Sequence, residues 1–130
     1  MNETGPLIAV VDDEPKFCSA LARLLKTHGF DVVTFTRGDD FLAACASRSP
    51  DCLLLDLHMP DSNGFEILEL VAARRLPVLV ITGHDQPGNA ERVRALGGLG
   101  YLLKPVKETP LLDAIRAVIE HPPAISAPAG

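Results

Sequence analysis

The sequence of 130 residues lacks any long hydrophobic run. Its apolar stretches are short, for example Leu7 to Val11 and Val78 to Ile81, whereas a membrane-spanning helix needs about 20 apolar residues in a row. The first ten residues also lack the basic flank and the apolar segment of a secretory signal peptide. We therefore expect a cytoplasmic protein that does not associate with a membrane.

Cysteine is scarce, and its positions exclude two common roles. Cys18, Cys45 and Cys52 are odd in number, lie far apart and have apolar neighbours. A disulfide framework or a zinc site would need paired or closely spaced cysteines. We expect reduced residues that contribute to the core.

Basic residues are too few and too scattered to form a nucleic-acid-binding surface. The chain has 12 Lys and Arg against 17 Asp and Glu, which gives a net charge of -5. Direct binding to nucleic acid depends on clustered positive charge. The partners are therefore expected to be proteins, and the length fits one domain with a single core.

Five short apolar runs alternate with five segments of helical periodicity. The runs are bounded by Gly, Pro or Asp and predict buried strands. The predicted strands are Leu7–Val11, Asp31–Phe35, Cys52–Leu55, Pro77–Ile81 and Tyr101–Leu103. The predicted helices begin at or near Pro15, Gly38, Gly64, Asn89 and Leu111. This alternation predicts an α/β fold with a parallel sheet and helices on both faces.

Polar residues follow four of the predicted strands. They are Asp12, Asp13, Asp56, Thr82 and Lys104. In an open parallel sheet the ligand lies outside the carboxyl ends of the strands, so these side chains are expected to share one site. The three adjacent carboxylates from Asp12 to Glu14 exceed what helix capping needs and would repel one another without a cation. The pattern predicts an acidic pocket that holds a cation.

These residue types fit phosphoryl transfer assisted by Mg2+, which prefers carboxylate and phosphate oxygens. Asp12 or Asp13, together with Asp56, would hold the metal. Asp56 would attack as a carboxylate nucleophile, while Lys104 and Thr82 would bind the phosphoryl oxygens. The product would be an aspartyl phosphate.

Four motifs at the strand ends resemble the receiver domains of bacterial two-component response regulators. They are Val10-Val11-Asp12-Asp13-Glu14, the run from Leu54 to Gly64, Ile81-Thr82-Gly83, and the run from Gly100 to Pro105. The resemblance implies a flavodoxin-like sheet of order 2-1-3-4-5. We expect the receiver domain over residues 1–121, and a flexible tail or linker stub over 122–130, which has no apolar periodicity.

The resemblance also implies the roles of the acidic residues. Asp56 matches the phosphoacceptor, which receives a phosphoryl group from a histidine kinase or a phosphotransfer protein. Asp12 and Asp13 match the acidic pair, with Asp13 as the more direct metal ligand. The backbone carbonyl of His58 matches the third protein ligand of Mg2+.

Thr82 and Tyr101 match the switch pair of the family, in which the hydroxyl moves to the phosphoryl group and the ring turns inward. Lys104 matches the phosphate-binding lysine, and its bond to Pro105 is implied to be cis. The fourth helix, fifth strand and fifth helix would form a surface with two conformations, and phosphorylation would favour one of them. An output domain or effector protein would recognise that conformation. The resemblance also allows a homodimer on activation. The run 56–60 with Tyr101 resembles receivers joined to helix-turn-helix transcription factors.

Some positions are unusual within this pattern. His58 and His84 lie two residues beyond the phosphoacceptor and the switch hydroxyl, where family members control the access of water to the acyl phosphate. They either modulate autodephosphorylation or are simply exposed loop residues. The run 97–100, with Gly98 where alanine is usual, predicts a pliable approach to the fifth strand and fast amide exchange. Pro87-Gly88 is expected to shorten the fourth helix at its start.

Two other classes of protein share parts of this pattern. Metal-dependent phosphatases with an aspartate nucleophile usually carry a second Asp two residues later, where this chain has His58. A dinucleotide-binding module needs glycines in the turn after the first strand, and the turn after Val11 has none. The interpretation is therefore a phosphoacceptor switch rather than an enzyme, with the phosphatase as the alternative.

Overall fold

A computed structural model of the chain describes residues 5–60 and 62–121. The sheet strands are β1 (Leu7–Val11), β2 (Asp31–Phe35), β3 (Cys52–Asp56), β4 (Val78–Thr82) and β5 (Gly100–Leu103). The helices are α1 (Pro15–Thr27), α2 (Gly38–Cys45), α3 (Gly64–Ala73), α4 (Asn89–Ala95) and α5 (Glu108–Glu120). The predicted α/β alternation is confirmed. The expected tail over 122–130 lies outside the described residues.

The strands form one parallel sheet of order β2-β1-β3-β4-β5, which confirms the expected order. The order reverses between β1 and β3, so a crevice opens at the carboxyl ends of these two strands. Val11 pairs with Leu55, and the residues that follow them, Asp12 and Asp56, are therefore neighbours at this edge. The register of the sheet creates the acidic pocket.

Helices cover both faces of the sheet, as the β1 residues illustrate. Ile8 and Val10 belong to the hydrophobic cluster that packs with α1 and α5. Ala9 and Val11 belong to the cluster on the opposite face, with α2, α3 and α4. Side chains alternate between the faces of a strand, so a strand covered on both faces reads as a continuous apolar run.

The three cysteines are free, and Cys18 and Cys52 are buried. Burial raises the pKa of the Cys18 thiol to about 11 and that of the Cys52 thiol to about 12. Since the thiolate is the reactive form, these two residues serve packing rather than chemistry. No helix within residues 5–60 and 62–121 is both long and apolar enough to cross a membrane.

A two-stranded ribbon between β3 and α3 was not foreseen from the sequence. His58–Met59 pairs in antiparallel fashion with Ser62–Asn63. Strands of two residues are too short to produce a periodic pattern. The Asn63 side chain then accepts hydrogen bonds from the N–H groups of Phe65 and Glu66, at 3.0 and 3.3 Å, and so caps α3.

Gly64, the first residue of α3, lies directly against the backbone that follows Asp56. A Cβ atom at this position would be 2.6 Å from Leu57 Cα and 2.7 Å from its carbonyl oxygen. Because the neighbouring atoms belong to the backbone, they cannot move aside without shifting the loop. Only glycine fits here.

We expect Gly64→Ala to lower the free energy of unfolding by about 1 to 3 kcal/mol, the usual cost of overpacking a tight contact. Urea denaturation measures this effect. Gly83→Ala is the matched control, because its new Cβ would meet only Lys104 side-chain atoms at 3.8 Å or more. Equal stability of the two variants would contradict the assigned role of Gly64.

The glycine run before β5 is closely packed. A Cβ on Gly97 would lie 2.6 Å from the Cβ of Ala72, and one on Gly98 would lie 2.4 Å from Cγ1 of Val93. The Gly98 N–H donates to the carbonyl of Val93 at 2.8 Å. These glycines allow the loop between α4 and β5 to pack closely against α3 and α4, a role that the sequence interpretation did not assign. The expected fast amide exchange across 95–100 stays a prediction.

Helix α4 is short, as the sequence predicted. It begins at Asn89, directly after Gly88, whose φ of 85° lies in the left-handed region that glycine tolerates. The Asn89 side chain donates to the carbonyl of His84 at 3.3 Å. The start of α4 is therefore tied to the loop that follows β4.

Candidate functional site

Three carboxylates converge at the carboxyl edge of the sheet. Asp12 and Asp13 follow β1, and Asp56 ends β3. One oxygen from each of the three carboxylates lies within 4.8 Å of the others. Asp12 and Asp56 are buried, with 1% and 4% of their surface exposed, while Asp13 is more exposed. The structure thus brings together the predicted acidic cluster.

The Asp56 carboxylate is oriented by the backbone that follows it. Its Oδ1 accepts a hydrogen bond from the N–H of His58 at 3.0 Å. Burial raises the pKa of Asp56, and the nearby Asp12 adds to the rise, while the hydrogen bond from His58 opposes it. Burial therefore makes ionisation of Asp56 less favourable than that of a free aspartate, even though Lys104 opposes the rise, and a bound divalent ion would offset this cost.

Lys104 is the cation that faces these acids. Its Nζ lies 2.7 Å from Asp12 Oδ2, 3.1 Å from Glu14 Oε1 and 3.8 Å from Asp56 Oδ2. Burial alone would lower the pKa of Lys104, but contacts with these carboxylates outweigh it and raise the pKa above its ordinary value. The lysine is therefore charged at any physiological pH.

The backbone of Lys104 is fixed next to β4. Its N–H donates to the carbonyl of Thr82 at 2.9 Å, and its bond to Pro105 is cis, as the resemblance implied. The Phe17 ring lies beneath the ammonium, with Nζ 4.3 Å from the ring centroid. The sequence analysis assigned no role in the site to Phe17. Its position three residues after Glu14, at the start of a helix, is the one signal that connects it with the site.

The two predicted switch residues are bound to the loop after β4. The Thr82 hydroxyl is buried and accepts from the N–H of His84 at 3.0 Å. The Tyr101 hydroxyl donates to the carboxylate of Asp85 at 3.0 Å. The pKa of Tyr101 is raised by burial and by Asp85. In this conformation both hydroxyl groups hold the β4–α4 loop.

His58 and His84 contact each other at the mouth of the site. Their ring centroids are 3.8 Å apart, the ring planes are inclined by 33°, and both residues are exposed. The two rings line a cavity of about 300 Å³, which is also lined by Asp13, Glu14, Asp56, Pro60, Gly83 and Lys104. The sequence placed each histidine after a strand end but gave no sign that the rings would stack.

The carboxylate cluster fits a hard divalent cation. Asp12 Oδ2 is buried and, within the described part of the chain, receives no well-oriented hydrogen bond, although the Lys104 ammonium lies 2.7 Å away. This oxygen can therefore accept a cation. Oxygen ligands from Asp12, Asp13 and Asp56 suit Mg2+ rather than softer metals.

The fold and the pocket together define a class of protein. Proteins of this class are doubly wound α/β domains with an acidic cluster and a facing lysine at the carboxyl ends of the strands. These groups suit metal-assisted phosphoryl transfer. Residues 8–116 match the family model of the response regulator receiver domain. The chain belongs to this family, whose members are the phosphoacceptor signalling domains of two-component systems.

Curated relatives differ in how much of their length this chain covers. PilH of Pseudomonas aeruginosa is 34% identical over 116 residues, which cover 86% of this chain and 96% of PilH. RcaC of Microchaete diplosiphon is 36% identical over 112 residues, 83% of this chain but 17% of RcaC. TmoT of Ectopseudomonas mendocina is 30% identical over 125 residues, 95% of this chain and 57% of TmoT. The chain therefore spans nearly all of one relative and a smaller part of the others.

Solved structures of receiver domains share the fold. A CheY-like receiver domain from Methanospirillum hungatei superposes with a TM-score of 0.84 at 24% identity and covers 89% of this chain and 94% of that domain. The BeF3-activated receiver domain of Klebsiella pneumoniae RstA has a TM-score of 0.81 at 28% identity, with coverages of 87% and 97%. These similarities confirm the flavodoxin-like fold.

Proposed function

We propose that Asp56 is the phosphoacceptor of this receiver domain and that it takes its phosphoryl group from a histidine kinase or a phosphotransfer protein. The observation that carries the proposal is the position of its buried carboxylate, within 4.8 Å of two other acids and 3.8 Å from the Lys104 ammonium. An attacking carboxylate needs neutralising charge around the phosphoryl oxygens. This pocket provides it.

Each residue of the pocket has a separate task in this proposal. The N–H of His58 orients the Asp56 carboxylate, and Lys104 neutralises charge on the incoming phosphoryl group. Mg2+, held by the three carboxylates and the carbonyl of His58, would neutralise further charge on the phosphoryl oxygens. The domain thereby assists its own phosphorylation and dephosphorylation and does not turn over a separate substrate.

Thr82 and Tyr101 would convert the new charge into a change of surface. The acyl phosphate would carry a charge of about -2 in place of the single negative charge of the carboxylate, and its oxygens would attract the Thr82 hydroxyl away from the N–H of His84. Tyr101 would then leave Asp85 and turn inward. Leu99 and Leu103 are 44% and 47% exposed beside and on β5. This apolar surface supports a docking role for α4, β5 and α5.

Membership of the family supports the proposed partners. We propose a cytoplasmic domain over 1–121 that passes its signal to an output domain or effector protein, with 122–130 as a tail or linker. It would form no direct contact with nucleic acid or membrane, and the proposal is compatible with a homodimer on activation. The chain covers 57% of TmoT and 25% of NtrC of Salmonella typhimurium, a DNA-binding transcriptional regulator, which favours a receiver joined to an output domain. PilH, of which it covers 96%, favours a single domain.

Stoichiometry separates this function from that of an aspartate-nucleophile phosphatase. Protein incubated with Mg2+ and acetyl phosphate should gain the mass of one phosphoryl group and should release no phosphate continuously from p-nitrophenyl phosphate. A phosphatase would hydrolyse the ester at a steady rate. His58 favours the switch, because it stands where those phosphatases usually carry their second Asp.

We also propose that the stacked rings of His58 and His84 shield the acyl phosphate from water, because they line the mouth of the pocket. Replacing both with alanine should shorten the lifetime of the phosphorylated protein severalfold, as measured by the decay of its intact mass after removal of the donor. His28→Ala is the control, since His28 contacts Glu108 rather than the pocket. An unchanged lifetime in the double variant would show that the histidines are ordinary loop residues.

A further inference from the structure

We propose that Glu14 and Phe17 are positioning residues for Lys104, and that Glu14 competes with the phosphoryl group for its ammonium. The proposal rests on the function assigned above to Asp56 and Lys104. It adds two residues to that site, neither of which the site needs as a metal ligand. The resting position of Lys104 would then set how readily the pocket accepts an anion.

The start of α1 places both residues on one side of the pocket. Glu14 occupies the N-cap position, and its N–H donates to Asp12 Oδ1 at 2.9 Å, which fixes its backbone beside the acidic cluster. The Glu14 side chain makes no capping hydrogen bond within the described residues and instead accepts from Lys104 at 3.1 Å. Phe17 follows three residues later and lies on the same helix face.

The Lys104 ammonium contacts two acids more closely than it contacts the proposed phosphoacceptor. Its Nζ is 2.7 Å from Asp12 Oδ2 and 3.1 Å from Glu14 Oε1, but 3.8 Å from Asp56 Oδ2. A shift of the ammonium toward a phosphoryl group on Asp56 would weaken both of these contacts, and of the two acids only Glu14 lies outside the proposed set of metal ligands. The Phe17 ring, 4.3 Å from Nζ, attracts the cation through its π face without competing as an anion.

A double-mutant cycle tests the competition. The affinity of the full chain for beryllofluoride in saturating Mg2+ is measured by calorimetry for the wild type, Glu14→Gln, Lys104→Met and the combined variant. The side chain of Glu14 is 64% exposed, so its ion pair with Lys104 contributes less interaction free energy than a buried ion pair would. Glu14→Gln is therefore expected to raise the affinity by about threefold, within the range measured for exposed ion pairs.

The same substitution in the Lys104→Met background should leave the affinity almost unchanged, because the ammonium that links the two groups is gone. An equal gain in both backgrounds would mean that Glu14 acts only through its negative charge, and would overturn the proposal. A loss or no change in Glu14→Gln alone would also overturn it. Glu91→Gln, which removes an exposed carboxylate of α4, is the matched control and should bind like the wild type.

The contact between the Phe17 ring and the Lys104 ammonium is tested by a measurement that would not change if Phe17 served only the packing of the core. Ring currents shift the proton resonances of the Lys104 side chain when the ammonium end lies over the ring. This shift should disappear in Phe17→Leu, which keeps an apolar side chain against the core, and should persist in Phe17→Tyr. An unchanged shift in Phe17→Leu would overturn the assigned contact.

The wild-type measurement separates this proposal from the function on which it rests. If the wild type binds beryllofluoride with Mg2+ but Glu14→Gln shows no gain, the positioning proposal fails and the phosphoacceptor function stands. If the wild type does not bind beryllofluoride at all, the proposed function fails, and the positioning proposal fails with it.

Discussion

Replacing Asp56 with asparagine is expected to lower the rate of phosphorylation by acetyl phosphate at least about a thousandfold, the scale of loss seen when a nucleophile is removed. The amide keeps the shape of the side chain, so the hydrogen bond from the N–H of His58 can persist. What disappears is the attacking oxygen anion. Intact mass measured over time follows the reaction.

Asp39→Asn is the control for this experiment, because Asp39 is an exposed carboxylate in the first turn of α2. It should be phosphorylated like the wild type. Phosphorylation of Asp56→Asn at the wild-type rate would mean that another residue is the acceptor.

The same substitution is expected to stabilise the metal-free protein at neutral pH. Burial raises the pKa of Asp56, so the folded protein binds this proton more tightly than the unfolded chain. The bound proton stabilises the folded protein fully at pH values below the pKa that Asp56 has in the unfolded chain. This stabilisation is lost as the pH rises through the higher pKa that Asp56 has in the folded protein. Asparagine carries no charge and avoids this loss.

Urea denaturation in the presence of a chelator measures the effect. The Asp56→Asn midpoint should exceed that of the wild type at neutral pH, and the difference should vanish as the pH falls below about 4, the ordinary pKa of an aspartate. A wild type that is the more stable of the two at neutral pH would contradict the burial cost assigned to Asp56.

Removal of Mg2+ is expected to slow phosphorylation at least about a hundredfold, because a metal ion contributes several kcal/mol of charge stabilisation to such a step. Without the cation, Asp12, Asp13 and Asp56 would repel an anionic donor. The initial rate with acetyl phosphate, measured by intact mass before and after addition of a chelator, gives the effect.

Adding Mg2+ back should restore the rate, and Asp13→Asn should require a higher Mg2+ concentration for half-maximal rate. Asp40→Asn, another acid of α2, is the control and should keep the wild-type dependence. A rate that is indifferent to the chelator would exclude the metal site proposed for the three carboxylates.

The acidic pocket could be predicted from the sequence because the sheet itself assembles it. Parallel strands end at one edge, so Asp12 and Asp56 had to become neighbours once Leu7–Val11 and Cys52–Asp56 were adjacent in the sheet. Lys104 follows β5 in the same way. The order and register of the five strands determine which strand-end residues become neighbours. The strands themselves can be recognised as apolar runs because both of their faces are buried.

The contacts between side chains around the pocket could not be predicted in the same way. The stacking of His58 on His84 and the position of Phe17 under Lys104 depend on rotamers and loop paths that leave no periodic pattern. Gly64 was predicted as the start of a helix, whereas the structure shows that it is also needed for close approach to Leu57. Such packing requirements become visible only when the neighbouring backbone is known.

The measurement that tests the central claim most directly is the location of the phosphoryl group. Protein phosphorylated with acetyl phosphate and Mg2+ is reduced with borohydride, which converts an acyl phosphate to the alcohol, and is then digested and sequenced by mass spectrometry. We predict a single modified residue, Asp56, which appears only when Mg2+ is present. Modification of any other residue, or of Asp56 to the same extent without Mg2+, would contradict the account.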